Sequence, residues 1–292
     1  ALYTYDKEPE NKSMESEMLK AISVIARLPA IMVGAYQVMR RYLYNSSMVM
    51  HPINLDESLA ESILSTLRDN REYTKEEAKL LDLCLMLHAE HGGGNNSTFT
   101  CRCVTSTGTD AYAAYASAIS ALKGPRHGGA NIKVSQMFED IKAHVKDWDN
   151  EEELTAYLDD HSGLIYGMGH AVYTLSDPRA VQLKKSALKL AKGTEVEAEF
   201  RLLDTIERLT PQLFAKNKGD VKTMCANVDM YSGLVYKLLG IPVEMYTALF
   251  ACARMPGWCA HRMEEIENGK RIMRPAYRTL IKNRDYIALD ER

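Results

Sequence analysis

Repeated helix start signals limit the fold of this sequence more than any other feature. Thr74 and Glu77 have the spacing of a capping box, in which the threonine side chain accepts a backbone N–H and the glutamate reaches back to the cap. The apolar residues after them recur at helical spacing as far as the glycines at 92–94, where we predict that the helix stops. Two further starts are Asn150 with Glu153, and Asp177 followed by Pro178.

Helical periodicity covers most of the remaining chain, and alternating strand patterns are nearly absent. The sequence therefore predicts an all-α fold. Further helices are predicted near 13–43, 56–68, 108–122, 132–146, 195–209, 229–239 and 243–267. Pro29 and Pro256 fall inside two of these patterns, so we expect them to kink or interrupt their helices.

Composition excludes several classes of protein. The 292 residues are 46% hydrophobic and carry a formal charge of -3 without a basic block, which makes nucleic acid an unexpected partner. No run of 18 apolar residues and no secretory signal is present, so we predict a cytoplasmic protein without a membrane partner. Six cysteines without a CxxC pair indicate reduced thiols. Because the chain begins at Ala1 without a methionine, we expect a longer parent polypeptide.

Glycine clusters stand beside histidines at three places, HAEHGGGNNS, GPRHGGAN and YGMGHAVYTLSDPR. The histidines are His88, His91, His127 and His170. A histidine in the last turn of a helix interacts favourably with the helix dipole. Taken alone, each of these histidines is therefore explained as part of a helix end. Three such junctions together favour a cleft, because glycine lets a backbone come close to a ligand.

The same histidines allow a metal site as an alternative. His88 and His91 are three residues apart and would share a helical face, and His127 or His170 would complete a zinc or iron site. No HExxH motif occurs, however, and Cys101-x-Cys103 gives no second half of a zinc motif. We therefore predict no bound metal, and keep a metal-dependent hydrolase as a rival hypothesis.

Charged residues in apolar contexts suggest the chemistry of the cleft. Arg179, Arg254 and Arg274 are each either surface side chains or ligands for a substrate with several carboxylates, which the planar guanidinium binds through two parallel hydrogen bonds. Asp229 interrupts a run of apolar and small residues in CANVDMYSG. It is either the N-cap of the next helix or a buried general base.

Five segments in order resemble the citrate synthase family. Four of them are HAEHGGGNNS, GPRHGGAN, GMGHAVYTLSDPR and CANVDMYSG, and the fifth is the arginine-proline segment RIMRPAYR. They extend from about residue 88 to residue 278, and the ordered set is far more specific than any one glycine pair. Family members carry a further N-terminal segment before the point at which this chain starts.

The resemblance implies condensation of acetyl-CoA with oxaloacetate, followed by hydrolysis of the citryl thioester to citrate and CoA. Asp229 would remove a proton from the acetyl methyl group, while His127 donates a hydrogen bond to the thioester oxygen. His170 would act on the keto oxygen of oxaloacetate. A carboxylate is a weak base for a carbon acid and succeeds only if the developing oxyanion is stabilised at the same time.

Binding roles follow from the same resemblance. His91, Arg179 and Arg254 would hold the substrate carboxylates, and Asn95 and Ser97 would orient His127. Acetyl-CoA would be a cosubstrate, not a tightly bound cofactor, and would contact the backbone around Leu164, Gly167, Gly169 and Ala171. At Thr174 many family members carry a basic residue for a phosphate of CoA, which leaves the strength of CoA binding open.

The resemblance also implies a two-domain homodimer. A large helical domain would comprise residues 1–128 and 241–292, and a small one residues 129–240, with His127 at the boundary. Arg274 would reach into the active site of the partner subunit. Because catalytic groups lie on both sides of the boundary, domain closure would complete the site and exclude water.

Two other functions remain open beside the metal-dependent hydrolase. A 2-methylcitrate synthase, which uses propionyl-CoA, differs by one methylene in the acyl pocket, a difference of about 1 to 3 kcal/mol. A helical interaction protein that has kept the fold and lost the reaction is the third class. The presence of His127, His170 and Asp229 argues against that third class.

Overall fold

A computed structural model describes residues 1–160, 165–169, 173, 175–218, 224–276, 278, 280 and 285–291. Within these ranges the chain forms eleven α-helices, and the only extended pairing is an isolated bridge between Met168 and Ala226. The predicted all-α class is confirmed. The helices are α1 (Met14–Leu43), α2 (Leu59–Leu67), α3 (Lys75–His88), α4 (Asn96–Thr105), α5 (Ala111–Leu122), α6 (Ala130–His144), α7 (Glu151–Asp160), α8 (Pro178–Ala191), α9 (Val196–Lys218), α10 (Val228–Leu238) and α11 (Tyr246–Asn268).

The predicted caps form the contacts that their sequences indicate. Thr74 accepts from the backbone of Glu77, whose side chain accepts from the Thr74 N–H, so the capping box of α3 is complete. Asp177 accepts from the Arg179 N–H at the start of α8. The Asn150 side chain accepts from the backbone of the first turn of α7.

Several boundaries differ from the prediction. Helix α3 ends at His88, before the glycines, because the Glu90 carboxylate accepts the next backbone N–H groups and turns the chain. Helices α1 and α11 continue through Pro29 and Pro256, so the predicted interruptions do not occur. Helix α9 also passes its own proline, Pro211, and ends at Lys218.

Helix α4 was absent from the prediction. Its sequence, NSTFTCRCVT, is composed mainly of residues with low intrinsic helix propensity. It forms because it packs between α5 and α11, where Cys101 is fully buried. Its N-cap residue, Asn95, makes no capping hydrogen bond with its side chain, which is used elsewhere.

Two clusters of buried side chains form the core. The larger contains residues of α1 to α3 and α6 to α11, among them Leu81, Leu183 and Val235. The smaller joins α1, α4, α5 and α11 around Trp258. The described cysteines are free, and four of the six are buried. The division into domains at 128–129 and 240–241 stays a prediction.

A buried ion pair fixes α1 to α11. The Arg262 guanidinium donates to both oxygens of Glu17 at 2.7 and 2.9 Å, and both side chains are fully buried. Arg262 also donates to Thr105 Oγ1 at 3.2 Å. Helix α1 is the one described helix that is long and apolar enough, by length and composition, to cross a membrane. In the structure it packs on α2, α5 and α11.

We predict that Glu17→Gln lowers the free energy of unfolding by about 3 kcal/mol or more, because it leaves the Arg262 charge buried without a counter-charge. Thermal unfolding of the variant measures the loss. Glu15→Gln is the matched control, since Glu15 is exposed on the same helix and its replacement is expected to change stability by about 0.5 kcal/mol or less. Equal effects of the two substitutions would contradict this role of the pair.

Candidate active site

His127 lies in a tight turn between α5 and α6. The Gly128 N–H donates to Leu122 O at 2.7 Å, and Gly128 O accepts from Thr247 Oγ1 at 3.1 Å. A Cβ at Gly128 would stand 2.4 Å from Leu122 O, so this position requires glycine. The turn therefore fixes the backbone of His127 between the two helices and ties it to the start of α11.

The His127 side chain is half-buried and belongs to a polar chain. Its Nε2 atom lies 2.9 Å from Ser97 Oγ. Ser97 is buried, accepts from Trp258 Nε1 at 3.3 Å and lies 3.0 Å from Asn95 Oδ1. Asn95 Oδ1 in turn accepts from Arg254 Nη1 at 3.3 Å. Ser97 therefore contacts His127 directly, and Asn95 acts on it only through Ser97.

The single Ser97 proton decides which nitrogen of His127 can donate. If Ser97 donates to Asn95, His127 Nε2 carries a proton and Nδ1 is a bare acceptor. If Ser97 donates to Nε2, the proton of the neutral imidazole lies on Nδ1, which can then donate into the site. Burial, with a smaller contribution from Arg254, lowers the pKa of His127, so the neutral ring is favoured.

Arg254 is buried at the centre of the site, so its alternative as a surface side chain is wrong. Its Nε donates to His88 O at 2.6 Å, and its guanidinium stands 5.0 Å from the centroid of the Phe250 ring. Burial lowers its pKa to about 10, opposed by Glu90. A cation in this position has few water contacts and is suited to holding a carboxylate.

His88 is structural in its contacts. It is the last residue of α3, and its Nδ1 lies 2.8 Å from Cys84 O, a distance that assigns the proton to Nδ1 because a carbonyl can only accept. Burial lowers its pKa to about 4, so the ring is neutral. Its backbone oxygen, which accepts from Arg254, is the atom that serves the site.

His91 follows in a short segment that packs on α11. Glu90 Oε1 accepts from the His91 N–H at 2.8 Å and from the Gly92 N–H, and Glu90 Oε2 lies 3.0 Å from His261 Nε2. A Cβ at Gly257 would stand 2.2 Å from the backbone oxygen before Glu90. Glycine at this position of α11 lets the His91 segment lie against the helix.

Asp177 holds Arg179 in one orientation. Arg179 donates from Nε to Asp177 Oδ1 at 3.0 Å and from Nη2 to Oδ2 at 2.8 Å, and its backbone N–H donates to the same carboxylate at 2.9 Å. Asp177 is buried, and the Arg179 side chain is 14% exposed. Sequence reasoning found Asp177 as a cap and missed this second use as the partner of Arg179.

Asp229 lies in the first turn of α10, and it does not cap that helix. The cap is Asn227, whose side chain accepts from the Asp229 N–H at 3.0 Å. Of the two alternatives for Asp229, the N-cap is therefore wrong. Burial raises its pKa to about 6, opposed by the positive charges of Arg179 and Arg254 and assisted by the Asp177 charge.

The glycine loop at 165–169 is joined to the start of α10. Gly167 O accepts from the Asn227 N–H at 2.8 Å, and Gly169 O accepts from Asn227 Nδ2 at 3.0 Å. Both glycines have positive φ, 84° and 89°. A Cβ at Gly167 would stand 2.9 Å from Met230 Cα, so only glycine permits this approach.

Part of the predicted site lies outside the described residues or away from the four residues above. Leu164, His170, Ala171 and Thr174 lie outside the described residues. Arg274 is exposed in the segment after α11, where the Met273 N–H donates to Ser106 Oγ at 2.9 Å. Its predicted entry into the site of a partner stays a prediction.

Taken together, the described part of the site joins four of the predicted residues. The charge of Asp229 interacts with those of Arg179 and Arg254, and Arg254 also acts on His127. Among the described residues, no group of three His, Cys, Asp or Glu side chains is arranged to hold a metal ion. A partly buried carboxylate of raised pKa, a neutral imidazole and two guanidiniums suit proton abstraction from a carbon acid beside bound carboxylates.

Comparisons with known proteins agree on one family. Residues 1–276 match the family described as citrate synthase, C-terminal domain. The chain is 38% identical over 221 residues to a citrate synthase of Deinococcus radiodurans, an alignment that covers 76% of this chain and 56% of that protein. It is 33% identical to a citrate synthase of Saccharolobus solfataricus, over 100% of this chain and 73% of that protein.

Solved structures give the same result. One is the ternary complex of the Thermoplasma acidophilum citrate synthase with carboxymethyl coenzyme A and oxaloacetate. It matches with a TM-score of 0.79 at 32% identity, and covers 99% of this chain and 72% of that one. A citrate synthase of Thermotoga maritima matches with a TM-score of 0.76 at 32% identity, over 95% and 71% of the two chains.

We predict that Asp229→Asn stabilises the protein at high pH. The pKa of Asp229 rises from an ordinary 3.8 to about 6 on folding, so ionising it costs the folded state up to about 3 kcal/mol above pH 6. This cost fades between pH 6 and pH 4 and is absent below, where the group is protonated in both states. Unfolding measured at pH 8 and pH 4 tests the difference, with the exposed Asp149→Asn as control. A stabilisation independent of pH would contradict the burial of this charge.

Proposed function

Because the chain belongs to the citrate synthase family, we propose that it condenses acetyl-CoA with oxaloacetate and hydrolyses the resulting thioester to citrate and CoA. One observation carries the proposal. Asp229, a carboxylate whose pKa burial raises to about 6, interacts with Arg179 and Arg254 in the site that contains His127. This is the combination needed to enolise a thioester next to a substrate with several carboxylates.

Asp229 is the base in this proposal. A carboxylate of ordinary pKa is too weak to take a proton from the methyl group of a thioester, and burial strengthens it while leaving it ionised at neutral pH. The Asn227 side chain caps α10, so the Asp229 carboxylate is not needed as a cap and is available to act as a base.

His127 stabilises the enolate oxygen as a neutral donor. This role needs the arrangement in which Ser97 donates to His127 Nε2 and Nδ1–H points to the thioester. Trp258 Nε1 donates to Ser97 Oγ and so uses one acceptor site of the hydroxyl in either arrangement, while Asn95 Oδ1, 3.0 Å from Ser97 Oγ, is the competing acceptor for the Ser97 proton. A fixed donor at the point where charge develops is worth about 10²- to 10³-fold in rate.

The two arginines and His91 bind the carboxylates of oxaloacetate. Asp177 orients the Arg179 guanidinium before substrate binds, and the His88 backbone oxygen and the Asn95 amide oxygen orient that of Arg254. Both side chains therefore lose little rotational freedom when they bind a carboxylate. His170 would hydrogen-bond the keto oxygen as the carbon-carbon bond forms. The glycine loop at 165–169 would accept the cosubstrate against its backbone, where Gly167 and Gly169 leave room.

The assembly belongs to the same proposal. We propose a cytoplasmic homodimer in which Arg274 enters the partner's site and the small domain closes on the large one. The exposed position of Arg274 leaves it available for such a contact. The solved Thermoplasma acidophilum relative, which holds carboxymethyl coenzyme A and oxaloacetate, supports the choice of substrates.

Asp229→Asn is expected to lower kcat by about 10²-fold or more, while the Kd of oxaloacetate stays close to that of the parent protein. In the parent protein, kcat/KM should fall about ten-fold per pH unit below pH 6, because the base is then protonated. Release of free CoA from acetyl-CoA and oxaloacetate is the assay, and the exposed Asp149→Asn is the control. Near-normal turnover of Asp229→Asn would show that Asp229 is not the catalytic base.

The same assay separates the rival activities. A larger kcat/KM with propionyl-CoA than with acetyl-CoA would replace the proposal with 2-methylcitrate synthesis. No CoA release from this chain or from a longer parent would favour an interaction protein. Activity that depends on a stoichiometric metal and is lost with a chelator would favour a hydrolase.

Mixed dimers test the shared site. Arg274→Ala and Asp229→Asn should each be nearly inactive alone, but a hybrid dimer of the two contains one site with both groups intact. An equal mixture, reassembled at random, should recover about a quarter of the parent activity. Arg271→Ala, a change at an exposed arginine three residues earlier, is the control and should be active alone. Verified hybrids without activity would show that Arg274 serves its own subunit, and normal activity of Arg274→Ala alone would show that it serves neither site.

A further inference from the structure

A cavity lies outside the candidate active site. Its volume is about 510 Å³, within the range of small-molecule sites, and it opens between α6, α10 and the start of α11. Its apolar walls include Ile132, Phe138, Leu203, Met230, Leu234 and Val243. His127, Asp229, Arg179 and Arg254 are not among the residues that line it.

Close packing fixes the walls. A Cβ at Gly233 would stand 2.8 Å from Ser135 Oγ, so glycine allows α10 to approach α6 here. Tyr246 OH donates to Gly233 O at 3.0 Å, and the Tyr246 ring packs edge-on against Tyr236 at 5.1 Å. The part of the wall that α6, α10 and the start of α11 form is therefore preformed.

The two charged residues that line the cavity, Lys237 and Glu139, are already paired with Glu199 and Lys142. Lys237 Nζ has acceptors at 2.7 and 2.9 Å on Glu199 and at 3.3 Å on Glu139. Lys142 Nζ has two acceptor oxygens on Glu139, at 3.0 and 3.1 Å, and one on Glu199, at 2.8 Å. An ammonium group has three N–H donors, so both lysines are fully used, and two positive charges balance two negative ones.

This pairing selects the chemistry of the occupant. An anionic ligand would have to displace a glutamate from Lys237, and a cationic ligand would have to displace a lysine from Glu139. An uncharged ligand gains from the apolar walls without disturbing either pair. Ser135 and Gln136 are the uncharged polar groups of the lining, and they allow one or two hydrogen bonds.

Met230 connects the cavity to the glycine loop. It is fully buried, lines the cavity and follows Asp229 in α10. Its side chain also packs so closely on Gly167 that a Cβ at Gly167 would stand 2.8 Å from Met230 Sδ. A ligand that moves the Met230 side chain therefore presses on or relieves Gly167 directly, because no gap separates them.

We propose that this cavity binds an uncharged, largely apolar small molecule, and that its occupancy changes the affinity of the protein for acetyl-CoA through Met230 and Gly167. The coupling rests on the proposed function, which assigns the glycine loop to acetyl-CoA. Binding in the cavity itself is independent of that function.

Two dyes with the same body test the site. N-phenyl-1-naphthylamine is uncharged, and 8-anilino-1-naphthalenesulfonate adds an anionic group to it. Fluorescence titration should give one site for the uncharged dye, with a Kd at least about ten-fold lower than that of the sulfonate at the same site, a difference of about 1.4 kcal/mol. An equal or lower Kd for the sulfonate would overturn the assigned ligand class.

Val243→Trp should fill the mouth of the cavity and abolish that site, because Val243 lines it and is 41% exposed. Val181→Trp is the matched control at an exposed valine on α8, and should bind the dye like the parent protein. Gln136→Trp, at an exposed position of the same rim, replaces Val243→Trp if that variant does not fold. Dye binding that survives in the folded cavity variants would overturn the site.

Reciprocal titrations test the coupling. Saturating acetyl-CoA should change the Kd of N-phenyl-1-naphthylamine by about five-fold or more, and the dye should change the Kd of acetyl-CoA by the same factor. A dye Kd that is unchanged by acetyl-CoA would overturn the coupling. A protein that binds the dye in the Val243 site but binds no acetyl-CoA would overturn both the coupling and the proposed function, while the cavity site would stand.

Discussion

Burial of the Arg254 guanidinium is the constraint on which the candidate site depends. A buried cation lowers stability unless its N–H groups find acceptors. Arg254 donates to the backbone of His88 and to the side chain of Asn95, and its guanidinium lies over the ring of Phe250. These two acceptors are the last residue of α3 and the cap of α4. One side chain of α11 therefore fixes the end of α3 and the start of α4. Its positive charge also lowers the pKa of Asp229.

Local signals were sufficient for most of the fold, because a cap and a helical period are complete within a few residues. Thr74 and Asp177 start their helices as their sequences indicate. The errors occur where distant contacts decide the outcome. The side chain of Asn95 is taken by Arg254, so α4 has no side-chain cap to announce it, and it forms through packing on α5 and α11. The end of α3 is set by Glu90, which lies against α11.

The site was predictable where a residue conflicts with its local pattern, and not where a residue fits it. Asp229 and Arg254 interrupt apolar runs, and their charges alone mark them. Trp258, which supports Ser97 from α11, looks like any core aromatic, since its indole N–H contact spans 161 positions of the chain. In the sequence, Asp177 is fully explained as the N-cap of α8. Nothing in the sequence therefore indicates that it also binds the Arg179 side chain.

The balance of charges around Asp229 has a consequence for the order of binding. Burial raises the pKa of this carboxyl, and Arg179 and Arg254 hold the rise in check. Under the proposed function, the carboxylates of oxaloacetate bind those same guanidiniums and neutralise part of their field. The pKa of Asp229 then rises further, and the base becomes stronger only once the electrophile is in place. A thioester that binds first meets a weaker base, which protects it from enolisation without a partner for the new bond.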